Sequence, residues 1–131
     1  MPIKNGRLIL QREVSDFAER FTVDPNNLLS IGTFVRLATS GDYEIAVTTG
    51  SSDNKAFGVI YSLDRTNNPY VAMSGRCIVK VRGTVAKGDT LVLSDYKGML
   101  TTNNSASFEN VKALAITTNS KQHGEVEAVL A

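Results

Sequence analysis

The stretch of residues 78–93 constrains the fold more than any other part of the chain, because it has the pattern of two β-strands joined by a tight corner. Before the corner, Cys77, Val79 and Val81 alternate with the charged residues Arg76, Lys80 and Arg82, and Ile78 is the one apolar residue on the charged side. The alternation returns after it at Leu91 and Leu93. A period of two places one set of side chains on a single strand face, where it can be buried. Gly83 and Gly88 punctuate the corner, since glycine accepts backbone angles that a side chain forbids.

Similar strand patterns recur from residue 28 onward at intervals of about ten residues, and turn sequences rich in glycine, asparagine and serine separate them. Regular short strands of this kind are typical of a β-sandwich or barrel. We therefore predict an all-β fold, a small β-barrel or sandwich, as one domain over residues 28–131. The predicted strands are Thr33–Ala38, Tyr43–Thr48, Ala56–Tyr61, Tyr70–Ala72, Cys77–Val81, Thr90–Ser94, Val111–Thr117 and Glu125–Leu130.

A weak internal repeat supports this prediction. Residues 32–37 match residues 88–93, and each copy is followed by a glycine turn, at Gly41 and at Gly98. Each copy then returns to an apolar strand, at residues 57–60 and 113–116. Two such units can pack face to face around one core.

Residues 1–27 differ in texture and are predicted to be an N-terminal arm that is extended or carries a short helix. The helical alternative comes from the i, i+3, i+4, i+7 spacing of Val14, Phe17, Ala18 and Phe21. Pro25 ends any such helix, because the residue before proline is pushed out of the α region. An arm of this kind can cover a barrel end or reach a neighbouring subunit.

Composition excludes several classes of function. The formal net charge is +1, so no strong field attracts nucleic acid or an anionic membrane. No apolar run reaches the length of about 20 residues that spans a bilayer, and the first residues lack the pattern of a signal peptide. We expect synthesis in the cytoplasm. Cys77 is the only cysteine, which excludes an intrachain disulfide.

Catalytic arrangements are not indicated either. His123 is the only histidine and is predicted in a surface hairpin turn. The acid pairs Asp89 with Asp95 and Asp42 with Glu44 lie beside glycines, where hydrogen bonds that stabilise turns explain them. We expect a chain that is not an enzyme, with no catalytic residue, no cofactor and no metal site.

Arg76, Lys80 and Arg82 form a basic stripe on one face of the predicted strand before the corner. One interpretation pairs them with Glu125 and Glu127 on a neighbouring strand, where opposite charges contribute a few tenths of a kcal/mol each. The other is docking onto an acidic partner surface.

Two resemblances bear on function. The corner in residues 81–91 resembles the half-motif of biotinyl and lipoyl carrier domains, but no exposed hairpin with a modifiable lysine is evident, because Lys55 and Lys97 lie in turns with the wrong neighbours. A carrier domain is therefore kept only as an alternative, together with a carbohydrate-binding module. Solvent-facing aromatics for the latter would be Tyr43, Tyr61, Tyr70 and Tyr96.

The second resemblance covers about three quarters of the chain. An early strand at 32–37, Phe57-Gly58-Val59-Ile60, the strand at 79–85, the Lys87-Gly88-Asp89-Thr90-Leu91 corner and a closing strand at 125–130 resemble the capsid decoration, or cement, proteins of tailed bacteriophages. The chain departs from that pattern in Ala113-Leu114-Ala115, which replaces a second Gly-Val-Ala, and in its longer N-terminal segment.

The resemblance implies a structural virion protein on the outer surface of the capsid, bound to the major capsid protein and trimeric. A tail-fibre, spike or head-fibre component is the alternative within virion proteins. The expected partner contacts are the arm and the basic stripe: Ile3, Leu8, Ile9, Leu10, Phe17, Phe21, Arg76, Lys80 and Arg82.

Overall fold

The computed structural model describes residues 18–23, 29–39, 41–105, 107 and 109–130, and within them all regular structure is β. The strands are β1 (Ala18–Arg20), β2 (Thr22–Val23), β3 (Phe34–Leu37), β4 (Glu44–Val47), β5 (Ala56–Leu63), β6 (Pro69–Ala72), β7 (Gly75–Arg82), β8 (Thr90–Leu93), β9 (Leu100–Thr102), β10 (Ala113–Ala115) and β11 (His123–Leu130).

The strands from residue 75 onward form a closed barrel in the order β10-β11-β7-β9-β8, with β8 pairing back to β10. Its longest ladder joins β7 and β11 antiparallel over their whole length, from His123 opposite Arg82 to Leu130 opposite Gly75. Neighbours pair antiparallel except β7 and β9, which run parallel. A closed barrel leaves no unpaired strand edge, so the predicted corner strands lie within a sealed sheet.

The strands before residue 73 form a six-stranded sheet in the order β1-β6-β5-β3-β4-β2. Its two outermost strands, β1 and β2, are consecutive in the chain and only Phe21 separates them. β1 pairs antiparallel with β6, while β2 pairs parallel with β4. The sheet therefore curls until its two edges meet at Phe21.

The two sheets have the same topology. If β1 and β2 count as one interrupted strand, each unit has five strands, which we number one to five in chain order. Going around either sheet, the strands then follow the order one, five, four, two, three and back to one. In both units the pairing of strands one and three is the parallel one. The chain is thus a tandem of two equivalent β units, residues 18–72 and 75–130, and the internal repeat predicted from the sequence is confirmed.

Matched hydrogen bonds support this equivalence. The turn bond from Thr33 N to Ser30 O, 3.2 Å, corresponds to the bond from Asp89 N to Ala86 O, 3.0 Å. The loop bond from Thr48 N to Phe34 O, 3.3 Å, corresponds to the bond from Asn103 N to Thr90 O, 2.8 Å. Gly32 and Gly88 occupy equivalent positions with φ values of 93° and 91°, which a side chain would disfavour.

Three strands of the first unit are buried on both faces. Val35, Ile60 and Val71 belong to a small core with Phe21 and Ile45 inside the first unit. Their chain neighbours, on the opposite face, pack instead into the larger core of the second barrel: Phe34, Val59 and Ala72. Strands covered on both sides have consecutive apolar residues rather than an alternation, as these pairs do. The first unit therefore contributes side chains to two cores, its own and that of the second unit.

All eight predicted strands are present, with ends shifted by up to two residues, and the alternation before the corner is confirmed by the burial of Cys77, Val79 and Val81. Strand β9 was missed. His123 is exposed as predicted but begins strand β11 rather than lying in the turn itself.

The helical alternative for the N-terminal segment is wrong where the structure describes it. Ala18–Arg20 is a strand instead of the end of a helix, and residues 18–23 close the first sheet instead of forming a separate arm before residue 28. Pairing with β6 and β4 satisfies the backbone of this segment and buries Phe21, so the apolar spacing that fits a helix is used by a sheet. Residues 1–17 and 24–28 lie outside the described part.

Candidate interaction surface

The expected partner contacts divide into three groups. Ile3, Leu8, Ile9, Leu10 and Phe17 lie outside the described residues. Phe21 is 8% exposed and its ring lies 5.4 Å from that of Phe57, so it is a core side chain and not an exposed contact. Arg76, Lys80 and Arg82 lie on the outer face of β7, as predicted.

Most of the basic stripe is engaged within the chain. Arg76 forms an ion pair with Glu127, with Nη2 and Oε1 2.8 Å apart. Arg82 lies over the ring of Tyr96, with its guanidinium carbon 4.1 Å from the ring centroid. This cation–π contact attracts the guanidinium charge to the face of the ring. Lys80 faces Glu125 across the ladder, yet its Nζ donates to Ser30 Oγ and no ion pair joins the two in the described residues. The predicted pairing with the acidic stripe is confirmed for Arg76 alone.

A strip of apolar side chains lies beside these charges on the outer face of the second barrel. Leu114 and Val129 are directly opposite each other across β10 and β11. Ile78 lies diagonally from Val129, because the residue opposite Val129 is Arg76, two positions along β7. The three side chains are 45%, 40% and 42% exposed. We call Ile78, Leu114 and Val129 the outer strip.

A cleft of about 480 Å³ lies between the two units. Thr33 and Val47 line it from the first unit, and Lys80, Lys97 and His123 from the second, with Glu125 at the same wall. Lys97 has no hydrogen-bond or ion-pair partner among the described residues. The cleft therefore combines an apolar wall with more positive than negative charge.

The most exposed large hydrophobic side chain of the described residues is Tyr43, at 73%, in the hairpin between β3 and β4. Its backbone is left-handed, with φ 60°, a conformation that costs a bulky residue about 1 kcal/mol or more. The carbonyl of Tyr43 accepts a 2.9 Å bond from Thr22 N, which holds the turn. Beside the ring lies a hollow of about 450 Å³ over Phe21 and Leu37.

The equivalent hairpin of the second unit differs at this position. Ala38 N donates to Glu44 O in the first hairpin, as Ser94 N donates to Met99 O in the second. The residue before the acceptor is Tyr43 in one and Gly98 in the other, and Gly98 is also left-handed, with φ 76°. The first unit thus carries a tyrosine where the second has glycine.

The hairpin with Gly98 is covered by the first unit. Phe34 N donates to Gly98 O at 2.9 Å, and Gly98 N donates to Thr48 Oγ1 at 2.8 Å. A Cβ atom at Gly98 would lie 2.7 Å from Thr33 Cγ2. The hairpin with Tyr43 is held by Thr22 of its own unit, and no hydrogen bond from the second unit reaches it in the described residues, which fits its exposure.

Perturbed acids serve the fold. Burial by itself would raise the pKa of Asp53, but bonds from the backbone N–H groups of Lys55 and Thr49 and the Arg36 charge outweigh it, so this pKa is lowered. Bonds from the Thr66 hydroxyl and the Asn68 N–H, with Arg20 nearby, lower the pKa of Asp64 to about 2. Both carboxylates hold loops in place.

Asp89 and Cys77 have structural surroundings as well. Asp89 accepts from Ala86 N at 2.9 Å and from the Thr102 hydroxyl at 3.1 Å, the turn-stabilising role that the sequence predicted. Burial raises the pKa of Cys77 to about 11, so its thiol is protonated at neutral pH. No group of three or more metal-ligating side chains occurs among the described residues.

A scan against protein-family models matched no family, and a search of curated proteins gave no match. The described residues contain no helix that is long and apolar enough to cross a membrane.

Sequence reasoning missed the cleft and singled out Tyr43 only as one of four tyrosines. Tyr61 and Tyr70 are partly buried against the core, and the Tyr96 ring contacts the Arg82 guanidinium and, in a T-shaped arrangement, the His123 ring. The signal that could have marked Tyr43 is the internal repeat, which aligned the glycine turns without showing which residue takes the left-handed position.

Proposed function

We propose that the chain is a capsid decoration protein of a tailed bacteriophage, which binds the outer surface of the head and stabilises contacts between major capsid subunits. The observation that carries the proposal is the outer strip, because it places three half-exposed aliphatic side chains on adjacent strands of a sealed barrel. The resemblance in the corner and flanking strands supplies the class of partner.

A decoration protein works through contact area. A ligand that binds only the assembled lattice stabilises that lattice by mass action. Burying apolar surface contributes about 25 cal/mol per Å², so three aliphatic side chains support modest affinity for each copy. Many copies, or linked copies, then add through avidity.

The charges around the strip favour a polar rim. Arg76 and Glu127 are 66% and 43% exposed at the side chain, so their ion pair contributes at most about 1 kcal/mol to folding. Both can exchange partners with charges on a capsid subunit at little cost. An apolar centre with a charged, exchangeable rim is the usual anatomy of a protein interface.

Co-sedimentation with heads tests the proposal. Heads of the encoding phage that lack this chain are mixed with the purified protein, and we expect the protein to pellet with them. Replacing Val129 and Leu114 together by aspartate should weaken binding at least tenfold, since a carboxylate buried without a partner is strongly unfavourable. Leu37→Asp, an equally exposed site on the other unit, is the control and should bind normally. Failure of the wild type to pellet would refute the proposal.

The arm needs a deletion that spares the fold. Removing residues 1–27 also removes β1 and β2, so loss of binding by that variant would not identify a contact. Removing residues 1–17 leaves both strands. If this shorter variant occupies heads as fully as the whole chain does, Ile3, Leu8, Ile9, Leu10 and Phe17 are not capsid contacts.

The carrier alternative has a separate test. Lys97 lies on the hairpin that carries Gly98, and the first unit holds that hairpin by two hydrogen bonds, which hinders entry into a ligase active site. Co-expression with a biotin or lipoate ligase, followed by intact-mass measurement, should give no added mass on any lysine.

A further inference from the structure

We call the hairpin tip at Asp42 and Tyr43 the knob. It is exposed, whereas Gly98 in the equivalent hairpin of the second unit is buried against the first unit. In the second unit the equivalent hairpin tip docks on the first unit through Gly98. In the first unit the tip carries Tyr43, 73% exposed, in a strained left-handed conformation. Strain in an exposed aromatic residue points to a role that the fold itself does not require.

We propose that the knob of one chain inserts into the cleft between the units of a second copy of this chain. Asp42 is exposed and has no partner in the described residues, so the knob offers a free carboxylate beside an aromatic ring. The cleft offers the unpaired Lys97, together with Lys80 and His123, beside the apolar wall formed by Val47. The two surfaces are opposite in charge, because the knob carries Asp42 and the cleft has two lysines against one glutamate.

The contact must be between chains. Tyr43 precedes β4 and Val47 ends it, so the knob lies about 13 Å along the strand from the cleft wall at the usual strand rise. Tyr43 does not line the cleft of its own chain. The volume of about 480 Å³ is large enough to accept an aromatic side chain from outside.

A second copy is favoured over an acidic region of another protein because both halves of the contact are present in one chain. Since each chain has one knob and one cleft, every knob in an assembly of finite size can be bound only if the chains form a closed oligomer. The inference does not rest on capsid binding. It is tested without capsids, so either one can fail alone.

The first measurement is the oligomeric state of the full chain by sedimentation equilibrium across a concentration series. We expect a discrete oligomer that dissociates on dilution. Tyr43→Gly copies the residue of the equivalent hairpin, so it should raise the unfolding midpoint while weakening association at least about tenfold. Tyr43→Asn, which also tolerates a left-handed backbone, should behave in the same way and guards against an effect of added flexibility.

Charge exchange identifies the two surfaces. Lys97→Glu and Asp42→Lys should each weaken association about tenfold, and the two changes combined in one chain should restore it, because the attraction is re-formed with opposite signs. Lys87→Glu, an exposed lysine outside the cleft, is the control and should have no effect. A monomeric wild type, or an oligomer that none of these variants weakens, would overturn the inference. So would a monomer whose Tyr43→Gly variant loses capsid binding, since the knob would then contact the capsid.

Discussion

Replacing Phe21 by alanine gives the sharpest test of the reassigned N-terminal strand. Phe21 is 8% exposed, sits between β1 and β2 and packs with Val35, Ile45, Ile60 and Val71. Truncating a buried phenylalanine costs about 3–5 kcal/mol of unfolding free energy. Its contact with Phe57, at 5.4 Å between centroids and 57° between ring planes, accounts for about 0.5–1.5 kcal/mol within that range.

The lower end of the range applies here. Phe21 also lines the hollow beside Tyr43, which is open to solvent, so water can occupy part of the space that the ring leaves. We therefore expect a loss of about 3 kcal/mol, which for a chain of this size lowers the midpoint of thermal unfolding by about 10 °C.

Urea unfolding followed by tyrosine fluorescence and far-ultraviolet circular dichroism measures this loss, since the chain has no tryptophan and four tyrosines. Ile78→Ala is the control: that side chain is 42% exposed on a strand, and its truncation should cost less than about 1 kcal/mol. If Phe21→Ala costs no more than Ile78→Ala does, the segment is a loosely held arm and its assignment to the first sheet is wrong.

Three further predictions concern buried polar and titratable groups. Asn119→Ala should lower the free energy of unfolding by about 2 kcal/mol, because the Asn119 amide donates to the carbonyls of Gly83 and Lys121 at 3.0 and 2.7 Å and the variant leaves both without this donor. The control is Asn104→Ala, at an exposed site, which should cost less than about 0.5 kcal/mol in the same urea titration. The pKa of Asp53 is lowered from 3.8 on folding, so its contribution to stability is present above that pH and is lost as the pH falls below it; unfolding titrations from pH 6 to pH 2.5 should show a decline that is shallower in Asp53→Asn. Cys77, whose pKa is raised to about 11, should react with a disulfide reagent such as dithionitrobenzoate only after denaturant is added, and rapid labelling of the native protein at pH 8 would contradict its burial.

The parts of the fold that sequence predicted are those in which local pattern and long-range packing agree. The alternation of Cys77, Val79 and Val81 with charged residues is enough to place β7 and its inward face. Strand β9 was missed because Leu100–Thr102 has one fully buried apolar side chain and no room for an alternation. Its pairing with β7 and β8, which sequence does not show, makes it a strand.

The N-terminal segment fails for a different reason. The spacing that ends at Phe21 satisfies a helical period, and strands of three and two residues are too short to display a period of two. Their partners lie in β6 and β4, which begin at residues 69 and 44. Only the closed sheet decides between the two patterns.

The candidate surfaces were harder still to predict. The cleft brings Val47 together with Lys97 and His123, and no spacing along the chain relates these residues. The outer strip was partly visible, because Ile78 stood out as an apolar residue on the charged side of its strand. Its continuation to Leu114 and Val129 needed the register of three strands.

The packing of Phe34, Val59 and Ala72 into the core of the second unit has a consequence for how such a molecule can arise and be taken apart. A gene for residues 18–72 alone would display these three side chains to water, and a gene for residues 75–130 alone would leave its interior open where they insert. The halves, expressed as separate polypeptides, should therefore be insoluble or unfolded singly and recover native β structure when co-refolded. A protein that can be reassembled from two pieces in this way also offers a natural place, at residues 73–74, to break the chain for complementation assays.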